Sequence, residues 1–285
     1  MGSLGLMESW MRRGSGRSPS VWLACAVALA CPMAPSALAA GGDFQPDRPA
    51  KAPASPAVPP DLKAKGKVYH ALPGRERQVR FVSDAPFEKI NGHSNAVVGY
   101  AVAGPDDNPS MLAGGEWRLP VASLRTGNTS RDEHLRDAEW LDAAKFPDIT
   151  FKLKSIKDAR SLDEDKNPVI RAYAATLVGD MTIHGVTKEM SIPATMRWRS
   201  ASDATARLAA GDFLVLSCSY AVRLSDFGVR HDVIAVKKKV AEVIQIETQL
   251  LLTTVPPEEQ PTRAENSKPT PQGTPPALPS EKKGG

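Results

Sequence analysis

The side chains able to do acid–base, nucleophilic or metal chemistry are few and scattered. The five histidines are His70, His93, His134, His184 and His231. No pair has the spacing of a zinc-binding helix, and no carboxylate–histidine cluster is local. His184 falls in a hairpin turn and His134 in a helical insert, where surface or capping roles are the plainer reading. A triad of Ser94, His134 and an Asp would have to be assembled by folding, and nothing around Ser94 resembles a nucleophile elbow. No Gly-rich phosphate loop is present. Cys218 lies in the strand-like run Val215-Leu216-Ser217-Cys218-Ser219-Tyr220, where it reads as a small buried residue rather than a nucleophile. The sharpest polar motif is Asp226-Phe227-Gly228 with Arg223 before it. Read as function, Arg223 and Asp226 sit at the mouth of a barrel. Read as structure, Gly228 makes a bend, Phe227 plugs an end and Arg223 pairs with Asp226. The chain reads as a non-enzyme with no cofactor or metal; a hydrolase or metal-dependent enzyme is the alternative.

The elements that must position these residues are mostly strands. In Leu177–Pro193, two alternating runs flank His184-Gly185, a hairpin signal. Leu177, Gly179, Met181 and Ile183 share one face before the turn; Val186, Lys188, Met190 and Ile192 share one after it. Similar alternation marks 67–72, 78–83, 95–103, 113–124, 148–155, 169–183, 188–200, 206–223 and 233–252. Pro120 hints at an edge or a bulge. Between 129 and 145 the pattern changes to helix formers, with Ser130 and Glu133 at capping-box spacing and Pro147 as the stop. Leu135, Ala138, Trp140 and Leu141 are candidates to face a core. About eight long strands and one helical insertion fill roughly 190 residues, the size of a single antiparallel all-β barrel. Such a barrel can enclose one small ligand or be filled by its own side chains.

The ends read differently. Arg12, Arg13 and Arg17 precede the apolar run Val21–Ala30, followed by Ser36-Ala37-Leu38-Ala39-Ala40. This predicts a secretory signal over residues 1–39, cleaved after Ala39 and too short to span a membrane as a stable helix. The rival is a lipoprotein anchored at Cys31, because Ala28-Leu29-Ala30-Cys31 loosely resembles a lipobox. Residues 40–65 are Pro- and Ala-rich and are expected to form an extended linker, with order beginning near Gly66. Residues 66–255 are the expected domain, and 256–285 a disordered Pro-rich tail. Of the three cysteines, only Cys218 lies within that domain, so no intrachain disulfide is expected there and stability must come from a core. The formal net charge is +4. Residues 1–39 contribute 3 − 1 = +2, leaving 4 − 2 = +2. There is no basic stripe interleaved with aromatics, which argues against a nucleic-acid partner. Lys237-Lys238-Lys239 reads as a solvated run.

Three stretches resemble the YceI-like family in order and spacing, and together they cover most of residues 78–252. They are Arg131-Asp132-Glu133-His134-Leu135 with Trp140–Phe151, then Gly179–Lys188, then Arg223 with Ser225-Asp226-Phe227-Gly228-Val229. The family's usual Asp-x-x-His-Ser before the first strand is not at its expected place; Ser83–Glu88 and Gly92-His93-Ser94 occupy that region. The resemblance implies a lipocalin-like antiparallel β-barrel, periplasmic or secreted, that binds a long-chain amphiphile. Polyisoprenoids, prenyl quinones and fatty acyl lipids are the ligand class it implies. The expected tunnel lining is Phe81, Tyr100, Phe151, Leu153, Met181, Ile183, Ile244 and Ile246; the competing reading has these side chains fill a closed core. A small amphiphilic lipid is the expected partner, and a homodimer is left open. A closed-barrel envelope-stress or interaction protein without a lipid is the alternative function.

Overall fold

The computed structural model describes residues 54–75, 78–162, 169–229 and 238–261. The expected leader at 1–39, Cys31 and most of the tail lie outside them. In chain order the elements are α1 (Pro60–Lys63), β1 (Val68–Ala71), β2 (Val79–Asp84), β3 (Lys89–Ser94), β4 (Val98–Val102), β5 (Gly114–Pro120) and α2 (Thr129–Arg136). Then come β6 (Asp148–Ser161), β7 (Ile170–Ile183), β8 (Val186–Arg199), α3 (Asp203–Ala206), β9 (Phe213–Arg223) and β10 (Val243–Thr253). All strand pairings are antiparallel, in the order β1-β4-β5-β6-β7-β8-β9-β10, and β10 pairs back onto β1 to close an eight-stranded barrel. Closure removes the free edges that an open sheet of this size would expose.

One wall is made of two short strands end to end. Toward its C-terminus β10 pairs with β1 (Leu252↔Ala71), and further back with β2 (Ile246↔Phe81). The break between β1 and β2 is sealed by the fully buried Gln78. Its Nε2 donates to the carbonyls of Leu72 (2.9 Å) and Val97 (3.3 Å), and its Oε1 accepts from the Val97 N–H (2.9 Å). A buried amide with three bonds replaces the ladder that the break interrupts. β3 carries the wall onward and meets the segment after β5 through the bridge His93↔Arg125. Alternation marks no strand at 89–94, because Gly92-His93-Ser94 lacks β-formers; a Cβ on Gly92 would lie 2.0 Å from the tip of the Phe81 ring, so a larger residue there would displace the ring.

Alternation sorts the side chains. Gly99, Trp117, Phe151 and Met181 are register partners on the inner face; Tyr100, Glu116, Lys152 and Asp180 are partners on the outer one. Near β1 the inside is filled: Tyr69, Met196, Leu214 and Leu252 are fully buried, and Trp198 Nε1 donates to Tyr69 Oη (3.0 Å). The β7–β8 hairpin turns at His184 (φ 51°) and Gly185 (φ 75°), the positive-φ pair of a two-residue hairpin turn. At the end away from β1, β8 and β9 part company. Their ladder runs from Arg199↔Phe213 to Ala194↔Cys218 and stops beside Pro193, which has no N–H to give. The gap takes the turn Leu224–Phe227, whose Phe227 is buried together with the following Val229.

The ends of the domain differ from expectation. The ordered chain starts before Gly66: α1 packs on the barrel, with Leu62 against Gly114. It also runs past Val255, where Gln260 accepts from the Ala210 N–H (2.8 Å) and donates to Thr253 Oγ1 (3.0 Å) and the Val255 carbonyl (2.9 Å). Composition could not show either, since both anchors are single side chains in Pro-rich sequence.

Candidate functional site

The inner face is filled at one end and hollow at the other. The hollow is a cavity of about 410 Å3, bounded by the ends of β6, β7, β9, β10 and β2 and roofed by α2 and the loop after it. Its walls are Val79, Phe81, Ile90, Trp117, Phe151, Leu177, Met181, Ile183, Ile192, Leu216, Tyr220, Val222, Ile244, Ile246 and Leu250; Leu135, Trp140 and Leu141 come from the helical insert. Trp117 and Phe151 stack at 6.1 Å between centroids. Phe81 and Phe151 lie over Gly92 and Gly179 on neighbouring strands, so aromatic surface covers what glycine leaves bare.

Helix α2 is held in place by its start. Asn128 is the N-cap, its side chain accepting from the Arg131 N–H (3.1 Å). Asp132 is buried and accepts from the Thr126 N–H (2.7 Å) and hydroxyl (2.6 Å). The expected Ser130–Glu133 capping box is therefore displaced by two residues; Asn128 wins because its carboxamide already satisfies the free N–H.

Polar side chains gather at the lip. Arg131 Nη2 lies 2.6 Å from Glu88 Oε1, joining α2 to the β2–β3 turn. Ser83, Thr126, His134 and Lys239 also border the opening. Deeper in, Cys218 is half-buried against the apolar wall, and desolvation pushes its thiol up to about 12. A thiol held neutral has little nucleophilic or metal-binding character. Among the described residues no group of three or more His, Cys, Asp or Glu side chains is placed to hold a metal ion. Ser94 Oγ is bonded to Ser123 Oγ (2.7 Å) and accepts from the Ala96 N–H, so it is engaged structurally.

Six of the eight side chains expected to line a tunnel border this cavity: Phe81, Phe151, Met181, Ile183, Ile244 and Ile246. Tyr100 does not. It is on the outer face, beside Glu116, where burial pushes its hydroxyl up. Leu153 points inward but between Gly115 and Gly179, in the filled part. Arg223 and Asp226 are at the correct end but outside the cavity. Arg223 is exposed, and Asp226 pairs with Lys188 (3.5 Å) rather than with Arg223. The neighbours that do reach the cavity are Leu224 and Val229. Trp117, Leu216, Tyr220 and Val222 were missed, although each is in phase with its apolar strand partners; Glu116, Arg118 and Ser217 hid the pattern.

The wall order, the helical roof and the turn after β9 all fall within one stretch of the chain. The model of the YceI-like domain matches residues 71–252. The chain belongs to the YceI-like family. Its similarity to individual members is modest. Protein YceI of Escherichia coli O6:H1 is 30% identical over 130 residues, 45% of this chain and 59% of that protein. A UPF0312 protein of Enterobacter sp. strain 638 is 32% identical over 126 residues, 44% and 56%. The chain thus spans little more than half the length of these YceI relatives. BcnA of Burkholderia cenocepacia superposes with TM-score 0.45 at 19% identity, covering 67% of this chain and 98% of BcnA. A polyisoprenoid-binding domain of Saccharophagus degradans, implicated in plant cell wall breakdown, does so with TM-score 0.46 at 11% identity, covering 66% and 99%.

Proposed function

We propose that this YceI-like chain is an exported binding protein that takes the apolar tail of an amphiphile into the barrel and leaves its headgroup at the lip. The observation that carries this reading is the cavity: its walls are predominantly apolar, and Glu88, Arg131 and Lys239 border it. Such a site suits a hydrocarbon chain with one polar end. Its size supports a tail class. An apolar cavity of about 150 Å3 holds one benzene, roughly 25 Å3 per carbon. At that rate 410 Å3 takes about sixteen carbons (410/25), the tail of three isoprene units or of a common fatty acyl group. Prenyl lipids, prenyl quinones and acyl lipids all present such tails, and longer ones would extend past Arg131 and Glu88. Each buried methylene contributes ~0.8 kcal/mol, against about 4–15 kcal/mol for lost freedom on association.

The reading is of a carrier: the lip groups can hold a headgroup, and among the described residues no nucleophile–base pair faces the cavity. Export to the periplasm or beyond rests on Arg12, Arg13 and Arg17, the apolar run after them and the Ala37-x-Ala39 site, with lipidation at Cys31 as the competing route.

Native mass spectrometry and lipid extraction on protein purified without detergent test the proposal. An extractable amphiphile, displaced by an added prenyl quinone or fatty acid, is the expected result. A protein that carries no lipid and takes up neither probe would overturn it and favour a barrel that serves as an interaction module.

A further inference from the structure

We propose that the lip of the cavity docks on an anionic bilayer surface, with Phe87 as the side chain that enters it. The β2–β3 turn is Ala85-Pro86-Phe87-Glu88. It is closed by reciprocal backbone bonds: Ala85 N–H to the Glu88 carbonyl (3.0 Å) and Glu88 N–H to the Ala85 carbonyl (3.3 Å). Pro86 stiffens the tip. Ala85 is turned in and buried, whereas Phe87 is 77% exposed, the most exposed large hydrophobic side chain among the described residues.

A single exposed ring is ordinary on a protein surface; its position is what gives it meaning. The next residue, Glu88, borders the cavity, and the Phe87 N–H donates to the Lys238 carbonyl (3.1 Å), one residue before Lys239, which also borders it. Phe87 therefore stands on the lip, where two parts of the opening meet. The charge beside it is unbalanced. Lys89 is paired with Asp84 (3.2 Å) and Arg131 with Glu88 (2.6 Å), whereas the exposed Lys238 and Lys239 have no acidic partner among the described residues. An aromatic tip beside unpaired ammonium groups matches the boundary of an anionic bilayer: the ring enters the headgroup layer and the lysines meet lipid phosphates. Docked this way, the cavity opens against the bilayer, and an apolar tail passes between them without crossing water. The purpose of docking rests on the carrier reading; the docking itself is measured separately.

The test is sedimentation of the full chain, as its host exports it and with Cys31→Ser so that lipidation adds nothing. It is run with vesicles of equal phosphatidylglycerol and phosphatidylcholine, and with phosphatidylcholine alone. Binding is expected to the mixed vesicles only, and to weaken as salt is raised. Phe87→Ser is expected to weaken it about tenfold or more, Lys238→Gln about fivefold, and Phe87→Trp to retain or tighten it. Both positions are exposed, so melting temperature is the control for folding. Equal binding by the unmutated and Phe87→Ser chains, or equal binding to neutral vesicles, overturns docking. The two proposals fail separately. Extractable lipid without vesicle binding leaves carriage standing and sinks docking, and vesicle binding without extractable lipid does the reverse.

Discussion

Cys218, Tyr220 and Tyr69 record what the interior does to a titratable group. Burial pushes each of them up to about 12, from ordinary values of 9.0 for the thiol and 10.0 for the phenols. Tyr220 is partly relieved by a hydrogen bond with Thr248, and Tyr69 by the bond from Trp198. A folded-state value raised above the unfolded one means that the native chain keeps protons the unfolded chain has lost. Their contribution is then fully present below about pH 9 and is lost as pH rises toward about 12. The urea midpoint is expected to be flat across neutral pH and to fall steadily above pH 9; an unchanged midpoint at pH 10.5 would contradict this burial. In the same way, a thiol reagent should modify Cys218 far more slowly in the folded chain at pH 8 than in urea. At this scale the sequence was a good guide wherever alternation is uninterrupted, as at Phe81, Phe151, Met181 and Ile183. It failed at Tyr100 because every residue of β4 is buried. Hydrophobicity there cannot separate the inner face from an outer face covered by α1.

At the scale of elements, the barrel depends on places where strands approach closely. A Cβ on Gly179 would lie 2.3 Å from the Lys152 carbonyl oxygen, and one on Gly92 would lie 2.0 Å from the tip of the Phe81 ring. The first obstacle is backbone and the second a movable side chain, so the two substitutions should differ. Gly179→Ala is expected to destabilise by roughly 1–3 kcal/mol, as overpacking does, read as a lower urea midpoint. Gly92→Ala is expected to cost less stability and to push Phe81 into the cavity, so the loss appears in bound lipid. Asn128→Ala removes the cap of α2 and should cost about 1 kcal/mol, whereas Ser130→Ala should cost little. The helix was legible from its composition after Thr129, but it ends at Arg136 and not at Pro147; turns make up the rest of that segment. Its cap was not, because Asn128 and Ser130 are both acceptable caps and only the backbone angle at Asn128 decides between them.

The whole molecule divides a filled half from a hollow half, and that division is the basis of the carriage proposal. Ile246→Trp places an indole in the open space, so the amount of co-purified amphiphile should fall at least tenfold while the melting temperature shifts by only a few degrees. Retention of full lipid content by this variant would mean that the ligand lies elsewhere. Stripping the lipid from the unmutated chain should lower its melting temperature, because a ligand that binds only the folded state stabilises it by mass action.

By itself the sequence determined a set of mostly antiparallel strands, a helical insert and the apolar face of most strands; closure came with the pairing of β10 onto β1. Period-two alternation and turn residues are local, and they survive any arrangement of the strands. Which end of the barrel is hollow was decided only by tertiary structure. Leu153 and Phe151 are equally apolar and share a face, yet one is wedged between two glycines and the other borders open space. Likewise Asp226 was legible as a motif but not as a partner of Lys188, since that pairing exists only where β8 and β9 separate and the turn after β9 fills the gap. Volume and the meeting of distant side chains are properties of the assembled walls, and no single strand encodes them.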